Sequence, residues 1–418
     1  MSLFGKLPSD NMNTNKPCSI FFYDDWLSAS PSTINLAKVL AQNGYIVTIY
    51  TVKSNYPRIE QLPTGIFVLY INPSISLKFS QIFYQNNLGL LVRVIELILF
   101  TFQILAHKIK QGFVGCKSEI SIGIDSRGSI LAFAESFFFK SNLVYFSLEL
   151  RNQKNTKFDR IGRILERFIY KKMDCILIQD EARFRHLSEY HEYHHKQVFY
   201  IPNSVNSKSL TSGGNLSCNY FVEKFNLNRQ EDHCLVIQAG MVNDDVFCST
   251  LAYAFKSIKQ KNVSLVFHER KKRQLDDPYI VSLRNINSQN LFLSLDPLPL
   301  EEIYKVFSSI TIGLAFYKDI DANNSEIAKA SGKLSGYLEY GKPVLMNDLQ
   351  SLAELNNKYQ FGIVIRDPSN SLEIEQALEK ILNNYEFYSK NALDCFKEEF
   401  DFYTKTKPFI NFLLNRLS

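Results

Sequence analysis

The sequence predicts an α/β fold in which two doubly wound, Rossmann-like domains face each other across a cleft. Three observations predict it. Apolar strands alternate with amphipathic helices from residue 18 onward, the alternation restarts after a polar Ser- and Gly-containing stretch at 206–219, and no internal repeat interrupts either half. Strands that alternate with helices are typical of parallel sheets. A length of 418 residues is sufficient for two or three domains.

Composition excludes several classes of protein. An apolar content of 45% excludes a disordered chain, and a net charge of +5 is too small for a dedicated nucleic-acid binder. The seven cysteines are scattered without a Cys-x-x-Cys pair, which predicts no disulfide scaffold and a cytoplasmic location. Residues 1–16 are predicted to be a disordered lead-in, because they have no apolar core after a basic start.

The first predicted domain spans residues 17–205. It opens with a strand at 18–23, a helix at 34–40 that stops at Asn43-Gly44, and a strand at 45–52, which together form a βαβ unit. Further strands are predicted at 66–71, 120–124, 143–146, 175–178 and 198–201, with helices at 88–107, 129–138 and 160–172.

The helix at 88–107 is nearly long enough to cross a bilayer, but Arg93, Glu96 and Gln103 interrupt its apolar run. A buried helix is favoured, and contact with a membrane surface or a true span are the alternatives. A basic cluster between Arg151 and Lys172 is compatible with contact at an anionic membrane surface. A solvated helix face is the favoured interpretation of that cluster.

A linker is predicted at 206–229, a second domain at 230–390, and C-terminal helices at 391–418 that pack back on the first domain. The second domain repeats the alternation of strands and helices. Strands are predicted at 234–238, 263–267, 291–293, 310–315, 343–346 and 362–365, with helices at 250–258, 300–308, 333–340 and 372–382, and a helical segment at 392–417 broken near Pro408.

The sharpest candidate site is the start of the helix at 333–340. Ser331 and Gly332 open this helix, Lys333 adds a positive charge, and Gly341 stops it. Free amide groups and the positive end of the helix dipole suit a diphosphate, and a glycine lets the ligand approach the backbone closely. The alternative is an ordinary strand–helix–strand unit with a serine cap.

The segment from Lys333 to Val344 resembles the Lys-Leu-x-Glu-Tyr-Leu-x-x-Gly-x-Pro-Val signature of GT-B glycosyltransferases, in the broad family of retaining nucleotide-sugar enzymes. Weaker likenesses occur in the family's order over residues 18–385. They are the βαβ unit at 21–52, the strand and helix at 174–187, the Ile-Pro-Asn-Ser-Val turn at 201–205, the strand at 236–241 and the strand at 307–317.

The resemblance implies that a nucleotide-diphosphate sugar binds to the second domain. Retention of configuration and chemistry without a metal ion or other cofactor are also implied. The resemblance and the predicted strand ends together assign the donor to Gly240, His268, Arg270, Leu298, Lys318, Ser331, Gly332, Lys333 and Leu334.

Several positions depart from the family pattern. Gly336 stands where many relatives carry a glutamate, Met241 stands where a basic residue is expected, and 268–273 replaces a Gly-rich turn with a basic run. Arg270 to Arg273 are candidates to replace lost positive charge near the diphosphate, and a solvated loop is the favoured alternative. These departures also allow a catalytically inactive homologue that acts as a binding or scaffold partner.

Carboxylates follow three strands of the first domain, where a cleft would lie. Asp125 and Glu149 are the candidate catalytic groups, since carboxylates orient hydroxyls and stabilise oxocarbenium-like transition states. Each is also explicable as a helix cap or a loop ion pair. Residues assigned to the acceptor side are Asp24, Ser30, Ser32 and Arg127.

The sequence therefore predicts a glycosyltransferase that moves a sugar to an acceptor hydroxyl, in polysaccharide or glycoconjugate synthesis. Saccharide, lipid-linked and small-molecule acceptors stay open, and no nucleic-acid partner is expected. The predicted location is the cytoplasm, with peripheral contact at the inner face of a membrane. His191, His194 and His195 have the spacing of metal ligands on a helix, but a solvated helix is favoured because no further ligand accompanies them.

Overall fold

The chain is described by a computed structural model that covers residues 16–53, 59, 62–71, 89–110, 119–150, 157–206, 219–227, 233–260 and 262–417. It contains two parallel sheets, with strand orders β3-β2-β1-β4-β5-β6-β7 and β10-β9-β8-β11-β12-β13. Helices cover both faces of each sheet. The predicted pair of doubly wound α/β domains is confirmed. The lead-in at 1–15 and most of the predicted linker lie outside the described residues.

The first domain follows the predicted alternation closely. Its strands are β1 (Lys16–Phe22), β2 (Tyr45–Val52), β3 (Ile66–Ile71), β4 (Ile120–Ile124), β5 (Asn142–Phe146), β6 (Cys175–Ile178) and β7 (Val198–Tyr200). Its helices are α1 (Pro31–Gln42), α2 (Gly89–Lys110), α3 (Asp125–Phe139), α4 (Lys157–Tyr170) and α5 (Glu181–His191). Helix α3 begins directly after β4, so the predicted loop at 125–128 is its first turn.

Two separate cores lie on the two faces of the first sheet. One side buries Ile34 and Leu36 of α1 against the sheet. The other side buries Phe100 of α2, Leu131 of α3 and Ile169 of α4. Alternate strand residues point to opposite faces, so each strand must be apolar on both sides. This is why the strands read as continuous apolar runs in the sequence.

The second domain is built in the same way around one large core. Its strands are β8 (Cys234–Gly240), β9 (Val263–Glu269), β10 (Leu291–Ser294), β11 (Ile312–Ala315), β12 (Val344–Asn347) and β13 (Gly362–Ile365). Its helices are α6 (Tyr220–Lys224), α7 (Cys248–Lys256), α8 (Pro278–Asn285), α9 (Tyr304–Ser308), α10 (Ala322–Ser325), α11 (Gly332–Glu339), α12 (Gln350–Tyr359), α13 (Ser371–Asn383) and α14 (Tyr385–Cys395). Helices α6, α8, α10 and α12 have no counterpart among the sequence predictions, and α6 lies within the predicted linker at 206–229.

The C-terminal segment returns to the first domain. Helix α14 packs on the second-domain core, a short π-helix follows at Phe396–Phe400, and α15 (Phe402–Leu417) buries Phe402 and Phe409 in the core beside α1. The break predicted near Pro408 is wrong, because Pro408 lies within α15 and the helix is interrupted at Asp401 instead. A proline removes one helical hydrogen bond, and burial of the surrounding apolar side chains offsets that loss.

Helix α2 is the long apolar segment whose sequence is compatible with a buried helix, contact with a membrane surface or a membrane span. Phe100 and Ile104 are fully or almost fully buried, whereas Ile98 and Phe102 are exposed. Within the described part of the chain, we find no helix with the length and apolar character needed to cross a membrane.

Candidate active site

A cleft of about 390 Å³ separates the two sheets. It is lined from the first domain by the segments that follow β1, β5 and β7, and from the second domain by those that follow β8, β9, β10 and β11. In parallel α/β sheets, ligands bind at the carboxyl ends of strands, so this is the expected position of a site. Its lining residues include Trp26, Glu149, Asn203, Gly240, Met241, His268, Arg270, Leu298, Phe307, Tyr317, Gly332 and Lys333.

The start of α11 forms part of the cleft wall. The Ser331 hydroxyl caps the helix by accepting a hydrogen bond from the Leu334 amide at 3.1 Å, and it also lies 2.5 Å from the Tyr317 hydroxyl. The amides of Gly332 and Lys333 are the first of the helix, and such amides have no intrahelical acceptor. Gly332 lines the cleft, whereas Leu334 is fully buried in the core. Leu334 therefore supports the helix and does not face a ligand.

Lys333 is the cation at this helix start. Its Nζ lies 4.1 Å from the centre of the Tyr317 ring, and its side chain lines the cleft. Loss of hydration lowers the pKa of Lys333 to about 7. An ammonium group in such surroundings gains more from an anionic partner than a solvated lysine does, because the surrounding protein screens charge weakly.

Arg270 provides a second cation on the same side of the cleft. It follows β9, and its guanidinium donates to the Met241 sulfur at 3.3 Å. Met241 occupies the position where the family pattern has a basic residue, so Arg270 brings a positive charge to that place from the neighbouring strand. Arg273 is held by Asp277 at 3.0 Å and does not line the cleft.

Lys318 was also a candidate for the diphosphate. It lies outside the residues that line the cleft, and its Nζ is 5.7 Å from the centre of the Phe247 ring. Its backbone amide donates to the Asp245 carbonyl at 2.8 Å. The structure therefore places Lys333 and Arg270 in the lining of the cleft and Lys318 outside it.

The other predicted donor residues, Gly240, His268 and Leu298, lie together along the cleft. Gly240 has a φ of +110° with open space beside its Cα, so a ligand can approach the backbone there. His268 is almost fully buried, and its Nδ1 lies 2.9 Å from the Ser294 hydroxyl. Burial lowers the pKa of His268 to about 3, so this imidazole is neutral at pH 7.

The missing glutamate at position 336 has a structural explanation. A Cβ on Gly336 would lie 2.4 Å from Cζ of Phe307, which lines the cleft. The Phe307 ring also packs against Tyr337, with ring centres 5.6 Å apart. An aromatic ring thus fills the space beside α11, and a glutamate at 336 is incompatible with this packing.

We expect Gly336→Ala to destabilise the protein by about 1–3 kcal/mol, because the added methyl group overpacks against the Phe307 ring. Gly332→Ala is the matched control in the same helix. Its Cβ would meet only Asn203, at 3.6 Å, which is ordinary van der Waals contact. Chemical denaturation of both variants measures the difference, and equal stability would contradict the proposed packing.

Glu149 and Asp125 occupy different positions, because only Glu149 is among the residues that line the cleft. Glu149 lines the cleft and is exposed to it, while Asp125 is partly buried. The Asp125 Oδ1 accepts from the amides of Leu148 at 2.7 Å and Glu149 at 3.1 Å. Loss of hydration raises the pKa of Asp125 to about 7, although both amides favour its ionised form. Asp125 thus shapes the loop that presents Glu149.

The Glu149 carboxylate lies in a field of opposing charges. The protein walls displace water from it and raise its pKa, while Arg183 and Arg270 lower it and Asp321 raises it further. Arg183 comes from the first domain and Arg270 from the second. Glu149 therefore lies where both domains contribute charge, which suits a group that acts on a bound ligand.

The two domains are joined beside Glu149 by a set of hydrogen bonds around Asn323. The Asn323 side chain accepts from the Leu150 amide and donates to the Leu150 carbonyl, both at 2.6 Å. The buried guanidinium of Arg183 donates to the Asn323 side chain and to the Leu148 carbonyl, both at 3.0 Å. These contacts fix the loop that carries Glu149 against the second domain.

The acceptor-side candidates are spread over a wider region. Ser30 lines the cleft, while Ser32 is buried and donates to Asn203 at 2.7 Å. Asn203 in turn donates to the Ala330 carbonyl at 2.9 Å, so Ser32 supports the domain junction. Asp24 and Arg127 lie 3.7 Å apart as a half-exposed ion pair outside the lining of the cleft.

The three candidate metal ligands near residue 191 are not on one helix, since α5 ends at His191. His191 stacks on Tyr170 with ring centres 4.1 Å apart, and His195 lies 2.7 Å from the Tyr170 carbonyl. Across the described ranges, no group of three or more His, Cys, Asp or Glu side chains has the arrangement of a metal site.

Four residues contribute to the site but were not predicted from the sequence. They are Arg183, Asn323, Asn203 and Phe307. Arg183 and Asn323 are 140 positions apart, and no local pattern links them. Asn203 belongs to the quoted Ile-Pro-Asn-Ser-Val turn, so its motif was visible but its contact with Ala330 was not. Gly336 was an indirect signal, because a glycine inside a helix can indicate that another side chain packs closely against it. In the structure that side chain is Phe307.

The fold and site together define a two-domain GT-B architecture. Solved structures similar to this chain include sucrose-phosphate synthase from Thermosynechococcus elongatus, with a TM-score of 0.65 and 12% identity, over 96% of this chain and 99% of that one. Anabaena HepE in complex with UDP-glucose has a TM-score of 0.64 and 10% identity, over 96% and 99% of the two chains.

WaaG, a glycosyltransferase involved in lipopolysaccharide biosynthesis, has a TM-score of 0.61 and 12% identity, over 95% of this chain and 99% of that one. No protein-family model and no curated protein matches the sequence. The likeness to solved structures shows that the chain has the GT-B fold over about 95% of its length.

Proposed function

We propose that this protein is a glycosyltransferase that moves a sugar from a nucleotide-diphosphate sugar to an acceptor hydroxyl. The observation that carries the proposal is that Gly332 and Lys333 at the start of α11, together with Arg270, line the cleft from the second domain, while Glu149 lines it from the first. A pyrophosphate matches the first three groups in charge and hydrogen bonding. The complex of HepE with UDP-glucose supports this class of donor.

The donor would lie along the second domain. Its diphosphate would contact Gly332 and Lys333, and its nucleoside would extend toward Gly240, His268 and Leu298. Helix amides and two cations stabilise the negative charge that develops on the departing diphosphate. We therefore propose transfer without a divalent metal or other cofactor.

The sugar would lie between α11 and Glu149. In the transfer, the acceptor oxygen forms a bond to the anomeric carbon as the bond to the diphosphate oxygen breaks, and the hydroxyl proton is released. Glu149 would orient the acceptor hydroxyl or stabilise positive charge on the sugar ring. Retention of configuration is proposed from the resemblance of the 333–344 segment to the retaining family.

We further propose a role in polysaccharide or glycoconjugate synthesis, with a saccharide, lipid-linked or small-molecule acceptor. WaaG, which acts in lipopolysaccharide biosynthesis, supports this direction. The rearranged residues Met241 and Gly336 keep an inactive, scaffold-type homologue as the second candidate, but the compensating position of Arg270 favours an active enzyme.

A thermal-shift panel of UDP-, GDP-, ADP- and TDP-sugars tests the proposal. We expect at least one donor to stabilise the fold, by about 2.7 kcal/mol at a concentration 100 times its dissociation constant. Slow release of the nucleoside diphosphate from that donor would then show turnover. Binding without turnover would favour the inactive homologue, and no stabilisation by any donor would contradict both candidates.

A further inference from the structure

Three helices of the first domain present apolar side chains to solvent on one side of the molecule. Helices α2, α3 and α4 cover the sheet face opposite α1 and α15. Each helix buries its inner residues, yet its outer side remains apolar. Six large residues on the outer sides of these three helices form what we call the apolar face. They are Phe102, Phe137, Phe138, Ile164, Leu165 and Phe168, each between 48% and 73% exposed.

The apolar face is continuous between α3 and α4, and α2 packs beside α3. The Phe133 ring of α3 lies 4.9 Å from Phe137 and 5.8 Å from Phe168 of α4, measured between ring centres. The Lys108 Nζ of α2 lies 4.8 Å from the centre of the Phe139 ring of α3. Soluble monomers rarely expose contiguous patches of this kind, and such patches mark protein or membrane contacts.

Positive charge surrounds the apolar face. Lys140 follows α3, and Lys171 and Lys172 follow α4; all three are exposed. The Lys172 Nζ lies 5.6 Å from the centre of the Phe168 ring, so charge and apolar surface meet directly. Arg163 lies on α4 itself and is half-exposed.

Acidic side chains on the described parts of α2, α3 and α4 do not offset this charge. Glu135 is buried in an ion pair with Lys108, and Glu166 is buried and accepts from Tyr190 at 3.2 Å. Asp125 is bound by loop amides at the cleft, and Glu96 is half-buried. The exposed charge around the face is therefore positive.

We propose that the apolar face docks on an anionic lipid bilayer, with the aromatic and aliphatic side chains among the acyl chains and the lysines at the headgroups. A helix surface with Phe and Leu bordered by Lys and Arg is suited to this interface. A second copy of the chain fits less well, because two-fold pairing would place the basic border against itself. This inference goes beyond the proposed transfer reaction.

Vesicle co-sedimentation tests the proposal with the full-length protein. We expect binding to phosphatidylcholine vesicles that contain roughly 30% phosphatidylglycerol, and little binding to phosphatidylcholine alone. The triple variant Ile164→Gln, Leu165→Gln, Phe168→Gln should bind at least about tenfold more weakly, because it removes apolar insertion. The double variant Lys171→Gln, Lys172→Gln should bind about 25-fold more weakly.

A matched control places the same change elsewhere. The triple variant Leu275→Gln, Leu372→Gln, Phe387→Gln alters second-domain residues with 51% to 61% exposure, and it should bind vesicles as the wild type does. The proposal would be overturned if the wild-type protein did not co-sediment with anionic vesicles, or if both triple variants bound the vesicles equally. Self-association that the first triple variant abolishes, without vesicle binding, would instead assign the face to a second copy.

Thermal melting of the first triple variant shows whether its fold is retained. If the triple variant melts early, the lysine double variant decides the outcome, because exposed lysines can be replaced with little effect on stability. The readout needs no nucleotide sugar, so the lipid proposal and the donor proposal can each fail without the other.

Discussion

Lys333→Gln is expected to weaken binding of the nucleotide sugar by about 10- to 100-fold, which is the usual effect of losing a charge-assisted hydrogen bond. The reason is its position at the start of α11 on the cleft wall, beside the amides of Gly332 and Lys333. Isothermal titration with the donor chosen by the thermal-shift panel measures the loss.

Lys318→Gln is the matched control for this charge. Lys318 also belongs to the second domain, but it lies outside the lining of the cleft and against Phe247. We expect its donor affinity to change less than about threefold, since Lys318 lies outside the cleft lining and a charge without direct contact is screened. Equal losses in both variants would show that general positive charge, rather than the α11 site, attracts the donor.

The same lysine predicts a pH dependence of binding. Burial lowers the pKa of Lys333 to about 7 in the free protein, and a bound diphosphate would raise it. Affinity should therefore be full below pH 7 and fall by up to about tenfold per pH unit above it, because binding then requires proton uptake. A nucleotide sugar is the suitable ligand, since both its phosphates are esterified and lack a pKa near 6.

Lys333→Arg is the control for this pH profile. Arginine keeps its charge throughout this range, so the affinity of the variant should vary little between pH 6 and pH 9. A profile in Lys333→Arg that matches the wild type would assign the titration to another group and contradict the role of Lys333.

Glu149→Gln is expected to lower the rate of donor turnover by about 10²- to 10³-fold, the range for loss of a group that stabilises charge in the transition state. Donor affinity should change little, because the proposed diphosphate contacts come from the second domain, whereas Glu149 belongs to the first. Release of nucleoside diphosphate, with water as the acceptor, measures the rate without knowledge of the natural acceptor.

Asp24→Asn is the matched control, since Asp24 follows β1 of the same sheet but lies outside the cleft lining. Its partner Arg127 is 3.7 Å away and half-exposed, and such pairs contribute little to stability. We expect turnover to be retained in this variant. A Glu149→Gln enzyme with wild-type turnover would remove Glu149 from the reaction.

Local sequence patterns predicted most of the fold. The strands are largely apolar on both faces, so β1, β2 and β8 were visible as mainly apolar runs. Helices α8 and α12 were not predicted, because their exposed polar residues weaken the apolar repeat that marks a helix. The interruption of the C-terminal helix was placed at Pro408, because the sequence offers no comparable signal at Asp401.

The sequence by itself determined the start of α11. Within three residues, Ser331 provides a helix cap, Gly332 allows close approach of a ligand and Lys333 adds a positive charge. Only the tertiary structure decided which charges share the cleft. Lys333 and Arg270 both line the cleft, while Lys318 lies against the Phe247 ring.

Asn323 and Leu150, which are 173 positions apart, meet beside Glu149. The physical reason is that side-chain direction and domain docking depend on contacts between distant segments. A cap depends only on its neighbours in the chain, so local sequence is sufficient to predict it.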